Sequence, residues 1–283
     1  MIENQIWLDR IVRTALDEDL GRGDLTTDAI IDPETKGKAA LEARQPMVLA
    51  GLPVFSRVFQ LLCSEITFEY FFQDGHYVSP EEKICILSGP LSAILKAERT
   101  ALNFIQRMSG IATLTKSYVD KVGPLKAKVL DTRKTAPGLR LLDKYAVRMG
   151  GGFNHRLGLS DGILIKDNHI KAAGSIRRAV TLARERVPHT LKVEVEVEDL
   201  SGVEEAIQAG ADVILLDNMS LDQMRKAVLL SAGRVTMEAS GNVNLHNIEE
   251  IAQTGVDLIS VGALTHSAPA VDLSLELIPS ILD

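Results

Sequence analysis

The feature that most constrains this chain is an alternation that begins near residue 125. Six short apolar runs recur there, at 127–130, 162–165, 192–195, 212–216, 234–237 and 258–261, each ending in polar residues. Stretches with helical amphipathic spacing lie between them, at 175–186, 200–208, 221–230 and 247–253. Strand and helix alternating at roughly 20–30 residues predict parallel βα units, because a parallel neighbour needs a long crossover. Six such units suit a closed or nearly closed α/β barrel better than a doubly wound sheet. No Gly-x-Gly-x-x-Gly opens any of the helices, which weakens a dinucleotide-binding alternative.

The preceding residues read as mixed. A helix is predicted over 6–19, with Ile6, Trp7, Ile11, Ala15 and Leu16 as its apolar residues and Gly21 as its stop. Residues 36–89 hold short strand-like runs with turn signals such as Asp74-Gly75 and Ser88-Gly89-Pro90. A long helix should follow over 91–108, with Leu91, Ile94, Leu95, Ala101, Leu102 and Ile105 as its stripe. Glu98 falls within that stripe and Arg99 beside it. Such a pair is either a structural ion pair or part of a site.

In barrels of this kind the chemistry sits at the C-terminal ends of the strands. The runs are followed in turn by Asp131-Thr132-Arg133-Lys134, Lys166-Asp167-Asn168-His169, Glu196, Asp217-Asn218, Glu238-Ala239-Ser240-Gly241-Asn242 and Gly262-Ala263. Bases cluster after the early strands, acids after the middle ones and small residues after the last two. Arg133, Lys134 and Lys166 should converge, and converging cations with no acids between them are costly unless an anion joins them. The expected ligand is a polyanion whose carboxylates or phosphates match arginine forks. His155 and Arg156 adjoin on the loop after Gly150-Gly151-Gly152. Glu196 and Asp217 suit Mg²⁺, which takes one or two protein carboxylates plus substrate oxygens. The plainer alternative makes Glu194, Glu196 and Glu198 one exposed face of an alternating strand. Ser240-Gly241-Asn242 and Val261-Gly262-Ala263 suit a phosphate held by backbone N–H groups, or are ordinary turns.

Charge sharpens this picture. The chain carries −7, a poor match to nucleic acid or an anionic membrane. Residues 131–171 hold eight bases against four acids, so this island is +4 and the remainder −11. There is no apolar run of ~18 residues for a membrane span, and residues 1–5 lack the basic and apolar regions of a signal peptide. Cys63 and Cys85 make no disulfide framework, and no two of the six histidines stand at i, i+4, which argues against zinc. A cytoplasmic protein with no nucleic-acid or membrane partner is expected. Physics alone does not name the reaction. Lys134 or Lys166 could be a Schiff-base lysine of an aldolase, and a non-catalytic polyanion-binding barrel stays open.

Longer motifs are more specific. They include Glu18-Asp19-Leu20-Gly21-x-Gly23-Asp24-x-Thr26-Thr27, Glu98-Arg99-x-Ala101-Leu102-Asn103 and Asp131-Thr132-Arg133-Lys134-Thr135-x-Pro137-Gly138-Leu139-Arg140. Gly151-Gly152-x-Asn154-His155-Arg156, Ile165-Lys166-Asp167-Asn168-His169, Leu215-Leu216-Asp217-Asn218 and Val261-Gly262-Ala263-Leu264-Thr265-His266 continue the series. On these residues the chain resembles the quinolinate phosphoribosyltransferases along essentially its whole length. The resemblance implies an N-terminal α/β sandwich domain (1–110 with 270–283) and an incomplete (βα) barrel domain (111–269) of phosphoribosyltransferase type II. It implies transfer of phosphoribosyl from phosphoribosyl pyrophosphate to quinolinate with decarboxylation, Mg²⁺, and a homodimer with shared active sites. Arg99 would be the cross-subunit contact. Thr132, Arg133, Lys134, His155, Arg156 and Lys166 would line the quinolinate and pyrophosphate pocket, with Lys134 and Lys166 catalytic. Glu196 and Asp217, catalytic as well, would serve the ribose and the metal. Ser240, Gly241, Asn242, Val261, Gly262 and Ala263 would hold the 5′-phosphate. A paralogue that transfers phosphoribosyl without decarboxylation is the nearest rival.

Overall fold

A computed structural model describes residues 4–279. In chain order it runs α1 (Gln5–Leu20), α2 (Leu25–Ile30), β1 (Lys36–Ala43), β2 (Met47–Val48), α3 (Leu52–Leu62), β3 (Thr67–Tyr70), β4 (Tyr77–Val78), β5 (Lys83–Pro90) and α4 (Leu91–Val122). There follow β6 (Lys128–Leu130), α5 (Arg140–Met149), β7 (Ile163–Ile165), α6 (Asp167–Ala173), α7 (Ile176–Arg186), β8 (Val193–Val197), α8 (Leu200–Ala209) and β9 (Val213–Asp217). The chain closes with α9 (Leu221–Ser231), β10 (Thr236–Ser240), α10 (Ile248–Ala252), β11 (Leu258–Ser260), α11 (Ala263–His266) and β12 (Leu273–Ile278). These elements gather into two compact units. One holds residues up to Lys116, Ala136–Gly151 and the residues from Ala268 on; the other holds Ser117–Thr135 and Gly152–Ser267.

The first unit is built on an antiparallel sheet in the order β12-β1-β5-β3. The last described strand, β12, pairs with the first, β1, from Lys38↔Ile278 to Ala43↔Leu273. Helix α3 starts on Leu52-Pro53, where a proline lacks no needed bond, and Asp74 accepts the Gly51 and Leu52 N–H groups at 2.8 and 3.1 Å. Phe55, Phe59 and Phe68 pack edge to face at 5.0–6.4 Å beneath it. Helix α4 buries Ile94, Ala101, Leu102 and Ile105, as its stripe predicts. It runs on to Val122, well past Met108, because Ile111, Ala112, Tyr118 and Val122 carry the apolar face across Ser109 and Gly110. Gly110 is where the backbone of Pro269 crosses: a Cβ there would lie 2.0 Å from the Pro269 carbonyl oxygen. Helix α5 belongs to this unit too. Arg107 grips the buried Asp143 with Nε and Nη2 at 3.0 and 2.9 Å, and the Tyr145 hydroxyl donates to Asp74.

The second unit is the predicted parallel α/β barrel. Its six strands follow the order β6-β11-β10-β9-β8-β7. Strands β6 and β7 are consecutive in sequence yet stand at opposite ends of that order, so the barrel is open between them. Phe153 partly bridges the seam: its N–H donates to Val129 and its carbonyl accepts from Asp131 N–H, at 2.8 and 3.1 Å. Ser175, Asp199 and Ser220 cap α7, α8 and α9 with side-chain oxygens and so set where each helix leaves its loop. Among the described residues no helix is long and apolar enough to cross a membrane.

Candidate active site

The C-terminal ends of the barrel strands enclose a cavity of about 790 Å³. Thr132, Arg133 and Lys134 reach it from the end of β6, His155 and Arg156 from the loop at the seam, and Lys166 from the start of α6. Glu196 and Asp217 reach it from β8 and β9, Ser240, Gly241 and Asn242 from β10, and Gly262 and Ala263 from β11. Two expected residues do not line it. Val261 is buried and its amide is committed to the Leu130 carbonyl at 2.8 Å. Arg99 stands exposed on α4, in the first unit. Burial holds the carboxyl of its neighbour Glu98 above the usual range, with Arg99 opposing that shift.

Each turn is held by its own side chains. The Thr132 hydroxyl accepts from Lys134 N–H at 3.0 Å and the Thr265 hydroxyl donates to the Lys134 carbonyl at 2.7 Å, pinning the Arg133-Lys134 corner. The buried Asp131 accepts from Asn154 Nδ2 and His155 N–H at 2.6 and 2.9 Å, tying the seam loop to β6. Arg156 donates through Nη1 to the Gly162 carbonyl at 2.9 Å, while its buried Nε has no partner. Burial, and then Arg133, push the Arg156 guanidinium below its ordinary value. That orphaned donor beside a second guanidinium calls for an anion.

Lys166 is an exception to the expected acid-free cluster: its ammonium bonds Glu196. Asp217 accepts from Asn218 Nδ2 at 2.9 Å. Gly241 adopts φ +92, and a Cβ there would meet Asn218 Oδ1 at 2.3 Å, so only glycine fits this turn. Asn242 Nδ2 in turn donates to Asn218 Oδ1, and the Asn242 carbonyl accepts from Asn244 and Asn247. At Gly262 a Cβ would lie 3.1 Å from Lys134 Cδ, so the bare backbone lets the lysine stem lie across it.

The reading of Glu194, Glu196 and Glu198 as one exposed face holds only for Glu198, which lies just past β8. Glu194 is 8% exposed and Glu196 half-buried, because this face of β8 points into the barrel while its valines pack outward. Sequence reasoning put Glu238 among the strand-end residues but gave it no role; it is 1% exposed on β10. Burial, then the Glu194 carboxylate, push the Glu238 carboxyl up to about 8, and His155 opposes the shift. His155 Nε2 lies 3.1 Å from Glu194 Oε2 and 3.7 Å from Glu238 Oε1. No spacing signal could have joined them, since they come from a loop and two strands.

Fold and site together define an α/β-barrel protein that gathers small polyanions at its strand ends. Residues 24–109 and 111–276 match, respectively, the N-terminal and C-terminal domains of quinolinate phosphoribosyl transferase. A probable carboxylating nicotinate-nucleotide pyrophosphorylase of Synechocystis is 43% identical over 276 residues, covering 96% of this chain and 93% of that protein. A protein of the same printed name from Bacillus subtilis is 43% identical over 274 residues, covering 97% and 94%. The crystal structure of NadC from Streptococcus pyogenes superposes with a TM-score of 0.94 at 46% identity, over 96% of this chain and 97% of that one. This chain belongs to the quinolinate phosphoribosyltransferase family.

Proposed function

We propose that this protein transfers phosphoribosyl from phosphoribosyl pyrophosphate to quinolinate, releasing pyrophosphate and CO₂ and forming nicotinate mononucleotide for NAD biosynthesis, as a cytoplasmic homodimer. The observation that carries this reading is the convergence of Arg133, Lys134, Arg156 and Lys166 with the glycine turns at Gly241 and Gly262 on one cavity, in a chain of this family. Both substrates are polyanions, and the arginines offer forks for carboxylates while the turns offer bare backbone for a phosphate.

The pyridine nitrogen attacks ribose C1 as pyrophosphate leaves. That nitrogen is unprotonated, so no general base is needed and catalysis is positioning plus charge stabilisation. Arg133 and Arg156 hold the carboxylates of quinolinate. Lys134 and Lys166 meet the negative charge that develops on pyrophosphate. Glu196 and Asp217 face the ribose, where positive charge develops. Departure of the 2-carboxylate as CO₂ leaves its electron pair on C2 as a carbanion beside a cationic ring nitrogen, which largely stabilises it; C2 then takes up one proton from solvent while the chain holds the 3-carboxylate.

Glu196 and Asp217 also fit Mg²⁺. They are hard oxygen donors at the ends of adjacent strands, and only one oxygen of each is bonded by Lys166 or Asn218. The ion would neutralise charge on the pyrophosphate. Arg99, exposed on α4, would complete the site of a second copy.

The test is Mg²⁺-dependent release of labelled CO₂ from quinolinate with phosphoribosyl pyrophosphate. Stoichiometric CO₂ and nicotinate mononucleotide are expected. Quinolinate binding without CO₂ would mark a polyanion-binding barrel, and a borohydride-trapped lysine adduct an aldolase; either overturns the proposal.

A further inference from the structure

His155, Glu194 and Glu238 stand together, the first and last of them lining the cavity, with ligand-capable atoms all within 4.8 Å of one another. One imidazole and two buried carboxylates invite reading as a cation site. The hydrogen bonding of the ring argues otherwise. Its Nδ1 accepts from the backbone N–H of Arg156 at 2.8 Å. A backbone amide can only donate, so Nδ1 carries the lone pair and the neutral ring carries its proton on Nε2. That proton meets Glu194 Oε2, 3.1 Å away. A metal on Nε2 would need the lone pair there and a proton on Nδ1, which metal-bound histidines donate outward. Here that proton would face the Arg156 amide, donor against donor.

The arrangement also reassigns His155. Both ring nitrogens are bonded within the protein, one upward to the backbone of Arg156 and one downward to β8. We propose that Glu194 is a positioning residue: by accepting the Nε2 proton it fixes the His155 ring, and through Nδ1 the backbone that aims Arg156 at the anionic pyridine substrate. The seam explains why this support is needed. Arg156 sits on a loop where no barrel strand runs, tied to β6 by Asp131 and Phe153. The imidazole supplies the tie to the far wall, reaching β8. An oriented histidine held by a buried carboxylate is a familiar way to keep one tautomer in place.

The assignment rests on the quinolinate reading for its substrate but not for its first readout. The ring tautomer of His155 is read by ¹⁵N NMR of the full-length protein, the signal assigned by its loss in His155→Asn. Nε2–H is expected; Nδ1–H, or displacement of the signal by Zn²⁺ or Mn²⁺ binding at one equivalent, overturns the proposal. The second readout is the calorimetric Kd for quinolinate. With Glu194 gone the acceptor left near Nε2 is Glu238 Oε1 at 3.7 Å, beyond hydrogen-bond reach, so Glu194→Ala should weaken quinolinate binding on the order of tenfold. Glu194→Gln keeps an acceptor oxygen and should retain both the ring signal and the wild-type Kd within threefold. An unchanged Kd in Glu194→Ala, or a lost ring signal in Glu194→Gln, overturns it. If Glu194→Ala fails to fold, the wild-type tautomer and Glu194→Gln decide. Loss of quinolinate binding by the wild type itself would sink the substrate reading and leave the tautomer result standing.

Discussion

Glu238→Gln turns a buried carboxyl into an amide of nearly the same shape that never ionises. In the unfolded chain this glutamate loses its proton near 4.5, whereas in the barrel burial and the Glu194 carboxylate hold the proton up to about 8. Between those values the unfolded state has released a proton that the native state keeps. Wild-type stability therefore falls as pH rises, by about 1.4 kcal/mol per pH unit for this group. The contribution is fully present below the unfolded value and lost once pH passes the folded one. The amide variant has no such slope. The two proteins should agree within about 1 kcal/mol near pH 5, and the variant should lead by on the order of 3–4 kcal/mol at about pH 8.5. Urea unfolding of both proteins at a series of pH values measures the difference directly. A difference that stays flat from pH 5 to 8.5 would refute the argument, because it would mean that Glu238 ionises in the barrel as readily as in the unfolded chain.

Three further outcomes follow from the geometry. Lys134→Ala should lower kcat/KM for CO₂ release by on the order of 10²–10³, the effect of losing one preorganised charge; a rate within twofold of wild type removes the lysine from the chemistry. Gly241→Ala places a Cβ 2.3 Å from Asn218 Oδ1 at a positive φ, so the turn must shift by an ångström or so. The KM for phosphoribosyl pyrophosphate should rise at least tenfold, by about 1.4 kcal/mol, with that for quinolinate less affected. Arg107→Ala takes from the fully buried Asp143 carboxylate its charged partner and leaves it the Ala136 N–H, which donates to Oδ2 at 3.0 Å. It should cost about 3 kcal/mol in thermal unfolding, and a loss below about 0.5 kcal/mol would show that the ion pair is dispensable.

The barrel was legible because its strands are short apolar runs with helical stretches between them, and each run is followed by at least one residue that lines the cavity. What escaped the sequence escaped for physical reasons. Helix α4 crosses Ser109 and Gly110, which look like a stop, because Gly110 serves the passing Pro269 backbone. The Val-Glu-Val-Glu-Val of β8 imitates a strand with one wet face, whereas barrel strands bury both faces and a polar interior is tolerated only around a ligand site. The Lys166–Glu196 pair joins residues thirty positions apart, one just past β7 and one on the neighbouring β8, beyond any local pattern. The segment 136–151 lies between two stretches of the barrel in sequence yet packs with the first unit, and no compositional change marks that excursion.

The inward glutamates of β8 bear on how the chain avoids trouble before the barrel exists. Parallel sheets form late, since each pairing waits on a crossover. Until then Val193, Val195 and Val197 are a β-prone segment open to pairing with other chains. Glu194 and Glu196 interrupt that segment with charge at every second position. The same carboxylates that meet His155 and Lys166 in the finished barrel act as gatekeepers on the nascent strand. Their replacement by apolar residues would make the unfinished chain prone to aggregation.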